Sequence, residues 1–354
     1  MGFARLLVAI CALLLPAVAV AQAKEGYRPA RTAWGDPDLR GTWPVQNIND
    51  AGIPLQRPAE MGERARLTDG EFAKRLERAE KSDAEYANDI HNSGTHGLAD
   101  WLRTDPTGRQ SSLLVSPADG RLPALTPQAR ALREAGRSSW KDGQTVFDWV
   151  SDLDAFDRCI TRGFPAMMLP KPYNNGLRIF QSPGYVVLQM EMFGTRIVPL
   201  GQGGHWPDAV RGWNGDSRGR WEGDTLVIET TNIVTGDGAT PDSYSRAASP
   251  LPGRGFATLP MSGKARVLER LTMTGPDTIA YEVTYSDPAV FTRPWTAAFD
   301  WTRDDSYQMF EYACHEGNGH VRTLIETSRR QRGLSLPARV AALPTPPGAG
   351  TNLP

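Results

Sequence analysis

From about Leu177 onward, apolar residues recur at every second position. The runs 185–191, 225–230, 265–274, 278–285, 294–302 and 307–313 all carry this period of two, the mark of strands that turn one face to a core. Gly275-Pro276-Asp277 and Arg303-Asp304-Asp305-Ser306 are tight-turn sequences between neighbouring runs, and strands joined by short turns pair antiparallel. Such a series, with no helix inside it, predicts a mainly β fold. The expected form is an antiparallel up-and-down barrel or strongly curved sheet over 177–332. The stretch 235–263, rich in Ser, Pro and Gly, interrupts the series and reads as a long loop at a barrel mouth.

Before Leu177 the regular segments have a helical period instead. Thr68-Asp69-Gly70-Glu71 is a capping box, followed by Phe72, Leu76 and Ala79 on one face. Thr126 as N-cap, Pro127 and the stop at Gly136 bound a second helix. Residues 24–66 read as an extended arm and 91–120 as polar and irregular, so 24–176 is expected to pack on the barrel from outside. The Pro- and Gly-rich end, 333–354, reads as a disordered tail.

The chain begins with Arg5, ten apolar residues over 6–15, Pro16, and then the small-x-small pairs Ala19/Ala21 and Ala21/Ala23. This is the pattern of a cleaved signal peptide over 1–23, and it implies a periplasmic or secreted protein. The run is shorter than the roughly 20 residues a bilayer needs, and no other segment is expected to span a membrane. Composition adds less: 40% hydrophobic residues in 354 suffice for a large core, and a formal net charge of −1 argues against a nucleic-acid partner. The excess of 33 Arg over 6 Lys is read as genomic composition. Past the signal only Cys159 and Cys314 remain, and in an oxidising compartment that pair predicts a disulfide.

Four blocks carry a resemblance: 215–226 (Gly-Asp-Ser-Arg-Gly-Arg-Trp-Glu-Gly-Asp-Thr-Leu), Arg158-Cys159-Ile160-Thr161-Arg162-Gly163, Thr292-Arg293-Pro294-Trp295-Thr296 and 312–318 (Tyr-Ala-Cys-His-Glu-Gly-Asn). With them the chain resembles a large family of exported bacterial proteins, from Gly35 to about Leu324. The resemblance implies export but brings no reaction with it. Gly41-Thr42-Trp43 and Gly219-Arg220-Trp221 are also similar to the Gly-x-Trp opening strand of lipocalin-like barrels, where the Trp plugs one end.

Three carboxylates fall on apolar faces: Glu269 with Val267, Leu271 and Met273; Glu191 with Tyr185 and Val187; and Glu311 with Tyr307 and Met309. Such a group is either paired with Arg or available for acid–base work. His205 in Gly203-Gly204-His205-Trp206 and His315 after Cys314 sit in polar loops suited to proton transfer. The histidine spacings 91/96 and 315/320 miss the zinc pattern, so no metal and no cofactor is expected. No nucleophile elbow or phosphate loop occurs.

The expected site is therefore one cleft at a barrel mouth. Its catalytic candidates are His315, His205, Glu191, Asp216 and Glu269. Its binding candidates are Arg218, Arg293, Trp295, Trp221 and Asn318, facing an aromatic, anionic or glycosidic small molecule. The function expected is that of a hydrolase or lyase. The alternative is a non-catalytic, lipocalin-like ligand-binding protein of the cell envelope. The sequence does not give the oligomeric state.

Overall fold

The computed structural model describes residues 27–45, 53–78, 80–81, 108–135, 139, 143–161, 163–170, 174, 176–201, 203–234, 244–250 and 256–336. The segment read as a signal peptide, all of 82–107 and the residues beyond 336 lie outside the described residues. The fold is mainly β, in antiparallel sheets. The alternation of apolar side chains builds β3 (Leu177–Ser182), β4 (Tyr185–Met190) and β5 (Gly194–Pro199) into a meander, with β1 (Gly41–Thr42) on the outer edge of β3.

The second sheet has six strands in the order β2-β12-β11-β10-β7-β6. These are β2 (Leu114–Ser116), β6 (Asp216–Glu222), β7 (Thr225–Thr231), β10 (Arg266–Gly275), β11 (Thr278–Ser286) and β12 (Trp295–Thr302). Between β7 and β10, inside the stretch expected to be loop, β8 (Tyr244–Pro250) and β9 (Phe256–Pro260) pair as a separate hairpin.

Both sheets face one core. Val186, Leu188 and Val198 of the smaller sheet join Leu226, Ile228, Val267, Leu271, Ile279 and Val283 of the larger. Trp43 is fully buried at the start of the first sheet, with the Arg303 guanidinium 5.9 Å from its ring centre. Trp301 is equally buried and stacks on Tyr281 at 4.4 Å. At roughly 25 cal/mol per Å2 of apolar area, each such aromatic is among the largest single contributions to the core.

The helices obey their local signals. The helix over 69–78 (α1) starts at the capping box, where Thr68 N–H donates to Glu71 Oε2 at 2.8 Å and Glu71 N–H returns to Thr68 Oγ1 at 3.3 Å. In α2 (Pro127–Ala135), Thr126 Oγ1 accepts from Ala129 N–H at 3.1 Å.

Three expectations are corrected. The run 307–313 is not a strand: the free edge of β12 is taken by β2, a strand from the N-terminal half, so 307–313 has no ladder to join. The series of period-two runs is incomplete, because β3, β5 and β6 are strands that it leaves out. A helix, α3 (His320–Gln331), follows the last strand and buries Ile325 against Phe147 and Leu153. No helix among the described residues is long and apolar enough to cross a membrane.

Candidate functional site

β4 ends at Met190, and the chain turns through Glu191, Met192 and Phe193 into β5. The turn is tight enough to hold Phe193 at φ +63 before Gly194 at φ +101. A bulky residue in the left-handed region needs its surroundings to keep it there. Here the Phe193 ring is held edge-on by Phe156 at 5.7 Å and Tyr312 at 5.1 Å. Tyr312 lies two residues before Cys314, whose disulfide to Cys159 ties the 303–319 segment to the loop containing Phe156.

Glu191 fastens the same segment from the other side. Its Oε2 accepts from the Tyr307 hydroxyl at 2.8 Å and from Gly176 N–H at 2.8 Å. Its Oε1 accepts from Phe310 N–H at 3.0 Å and from the Asn174 amide at 3.4 Å. Glu191 is buried although its strand neighbours Tyr185 and Val187 face outward, so the face assigned to it from alternation is the wrong one. The turn, not the pleat, carries it inside.

Between turn, disulfide and the 309–315 segment lies a cleft of about 620 Å3. Its wall includes Glu191, Phe193, Phe310, Glu311, Tyr312 and His315, with both half-cystines. Glu311 and His315 are exposed in it. Asn318 stands behind the wall, donating to Asp157 O at 2.9 Å and to Cys159 Sγ at 3.1 Å. It braces the disulfide and does not line the cleft.

A second polar group forms at the start of β6. Asp216, nearly buried, accepts on Oδ2 from Trp206 N–H at 2.9 Å and lies 2.9 Å from His205 Nδ1. Arg218 reaches Oδ2 through Nε and Oδ1 through Nη2, both at 3.2 Å. A carboxylate on Nδ1 fixes an imidazole's orientation and leaves Nε2 for a ligand or proton. None of these three residues lines the cleft.

Register places both groups at one end of the strands. Asp216 pairs with Thr231, Thr230 with Val267, Val267 with Tyr285, and Tyr285 with Trp295. Arg196, two residues after Gly194, reaches Ser217 at 3.0 Å, which brings the cleft turn to that end as well. Arg293 is exposed there. Trp295, in contrast, is core: it stacks on Tyr285 at 5.3 Å and is 2% exposed. Trp221 is half-buried and packs against the core edge.

Glu269 is also core. Its carboxylate takes two hydrogen bonds from Arg196, Nη1–Oε1 at 3.0 Å and Nη2–Oε2 at 2.5 Å, and a third from Tyr281 at 2.8 Å. Arg196 Nη2 also donates to Ser217 and Thr230, and its guanidinium lies 4.5 Å over the Phe164 ring. Burial, and then the Glu269 charge, push the Tyr281 phenol well above its ordinary value, so it remains a donor. This is the structural Arg–Glu pairing that a carboxylate on an apolar face permits.

Sequence reasoning missed Phe193, Tyr307 and Asn174 as site-forming residues. Gly194 after Met192-Phe193 was a usable turn signal; the donors to Glu191 had none, because they come from distant segments. No family model matches the chain, and no curated protein or solved structure matches it either.

Proposed function

We propose that this is an exported protein acting on a small organic molecule in the cleft between the β4–β5 turn and residues 309–315. The observation that carries the reading is the cleft itself. It is large enough for a small ligand, it has aromatic walls, and His315 and Glu311 are exposed in it. In this reading His315 exchanges the proton in a hydrolase or lyase reaction, and the disulfide holds its segment in place. Glu191 orients the wall. Export is supported by the apolar N-terminal run and by the disulfide.

The barrel reading has support at both sheet edges: Gly201 N–H donates to Gly219 O at 3.1 Å and Asp304 N–H to Thr42 O at 2.9 Å. Within the runs β3-β4-β5, β6-β7 and β10-β11-β12, strands that follow one another in the chain are antiparallel neighbours, as in an up-and-down arrangement.

One observation favours the second reading, a non-catalytic ligand-binding protein of the envelope. Four donors occupy the Glu191 carboxylate, which takes the buried acid out of proton transfer. The test is a panel of p-nitrophenyl esters and glycosides assayed with the mature protein and His315→Ala. Turnover that is lost in the variant at an unchanged melting temperature supports the enzyme. Turnover that survives the substitution refutes His315 as the acting group, and no turnover on any probe favours the binding protein.

A further inference from the structure

The cleft has a charge as well as a shape. Among the described residues its lining contains two carboxylates, Glu191 and Glu311, one histidine, His315, and no lysine or arginine, in a chain that has 39 of them. The other two buried carboxylates considered as site residues each have an arginine in contact: Glu269 has Arg196 and Asp216 has Arg218. Glu191 does not. Its donors are a tyrosine hydroxyl, two backbone amides and an asparagine side chain. These satisfy its lone pairs but cancel none of its charge, and a charge left uncompensated at a protein wall projects its field into the adjoining space.

The aromatic walls complete the chemistry. Phe193, Phe310 and Tyr312 line the cleft, and Phe310 is 42% exposed. A π face attracts a cation placed over it and repels an anion. Met190 and Met309 add soft, polarizable contact. We propose that the cleft binds an organic ammonium cation with an apolar or aromatic body. This rests on the cleft being the ligand site, and it removes the anionic class from the ligands the sequence suggested. The ammonium head is placed between Glu311 and the rings, with the Glu191 charge behind them.

Three probes of similar size and different charge test it on the full mature chain by calorimetry at low salt: phenyltrimethylammonium, benzyl alcohol and benzoate. The cation is expected to bind at least about tenfold tighter than the alcohol, with benzoate weakest. Glu311→Gln, at an exposed position, is expected to weaken the cation roughly tenfold and leave the alcohol unchanged. Phe310→Ala is expected to weaken the cation and the alcohol together.

If the alcohol or benzoate equals the cation, and Phe310→Ala weakens both, the cleft is a ligand site but the cation assignment is wrong. If the cation binds and neither variant changes it, the ligand sits elsewhere, and the cleft reading falls with the proposal. Failure of all three probes to bind also overturns it. Equal weakening of cation and alcohol by Glu311→Gln would show a lost contact rather than a lost charge, against the proposal.

Discussion

Removing Arg196 isolates a buried ion pair in the core. The pair with Glu269 is bidentate, and the two side chains are 1% and 0% exposed. Arg196→Met keeps most of the stem volume over Phe164 but leaves the Glu269 carboxylate with Tyr281 as its one remaining donor among the described residues. Stranding one partner of such a pair costs about 3–5 kcal/mol. Ser217 and Thr230 are not stranded, since their hydroxyls also bond each other at 2.9 Å. In Arg196→Met/Glu269→Leu the buried charge is gone and one orphan remains, the Tyr281 hydroxyl, at about 1–3 kcal/mol.

Adding Tyr281→Phe removes that orphan, and the triple variant should lie within about 2 kcal/mol of the parent, because well-packed apolar groups replace buried pairs at little cost. Urea denaturation of the parent and three variants measures the series. Stability should fall sharply in the single variant and recover stepwise. A triple variant as unstable as the single would refute the account, since the network would then contribute more than it costs. A single variant costing under about 1 kcal/mol would refute it from the other side, because Glu269 could not then be an isolated buried charge.

The remaining expectations are simpler. Tyr307→Phe removes one donor from Glu191 and should cost about 1–3 kcal/mol in a denaturant titration, with the 309–315 segment gaining protease sensitivity. Replacing both Cys159 and Cys314 by Ser releases a loop of 155 residues, worth near 5 kcal/mol in the chain-entropy view; an unchanged midpoint would contradict it. Burial, opposed by Arg270, raises the Glu282 carboxyl above its ordinary value, and its Oε2 has no partner among the described residues. Its folded form therefore disfavours the charge, so Glu282→Gln should stabilise the protein at pH 7, with the gain vanishing as pH falls through about 4.5. Asp305 has the opposite sign. The Thr42 N–H, and then Arg303, hold it below its ordinary 3.8, so its contribution is present above that pH and is lost as the solution is acidified through the folded value. Asp305→Asn should flatten the acid limb of the melting curve; an identical limb would count against it.

What the sequence alone determined are the features set by near neighbours. The period of two placed β4, β7, β10, β11 and β12, the capping box started α1, and Cys159 and Cys314, the two cysteines after the N-terminal apolar run, pointed to the bridge between them. Alternation even put Glu269 on its correct face. Tertiary structure decided the rest, wherever the partner is remote along the chain. Glu191 meets Tyr307 across 116 residues and Arg196 meets Glu269 across 73, so no local pattern could show which carboxylate keeps an uncompensated charge. The run 307–313 has strand periodicity, yet a strand needs an open ladder, and β2 had already arrived from residues 114–116 to occupy it. Periodicity states which face a residue would take inside an element; only the assembled chain decides whether the element forms and what charge stands opposite.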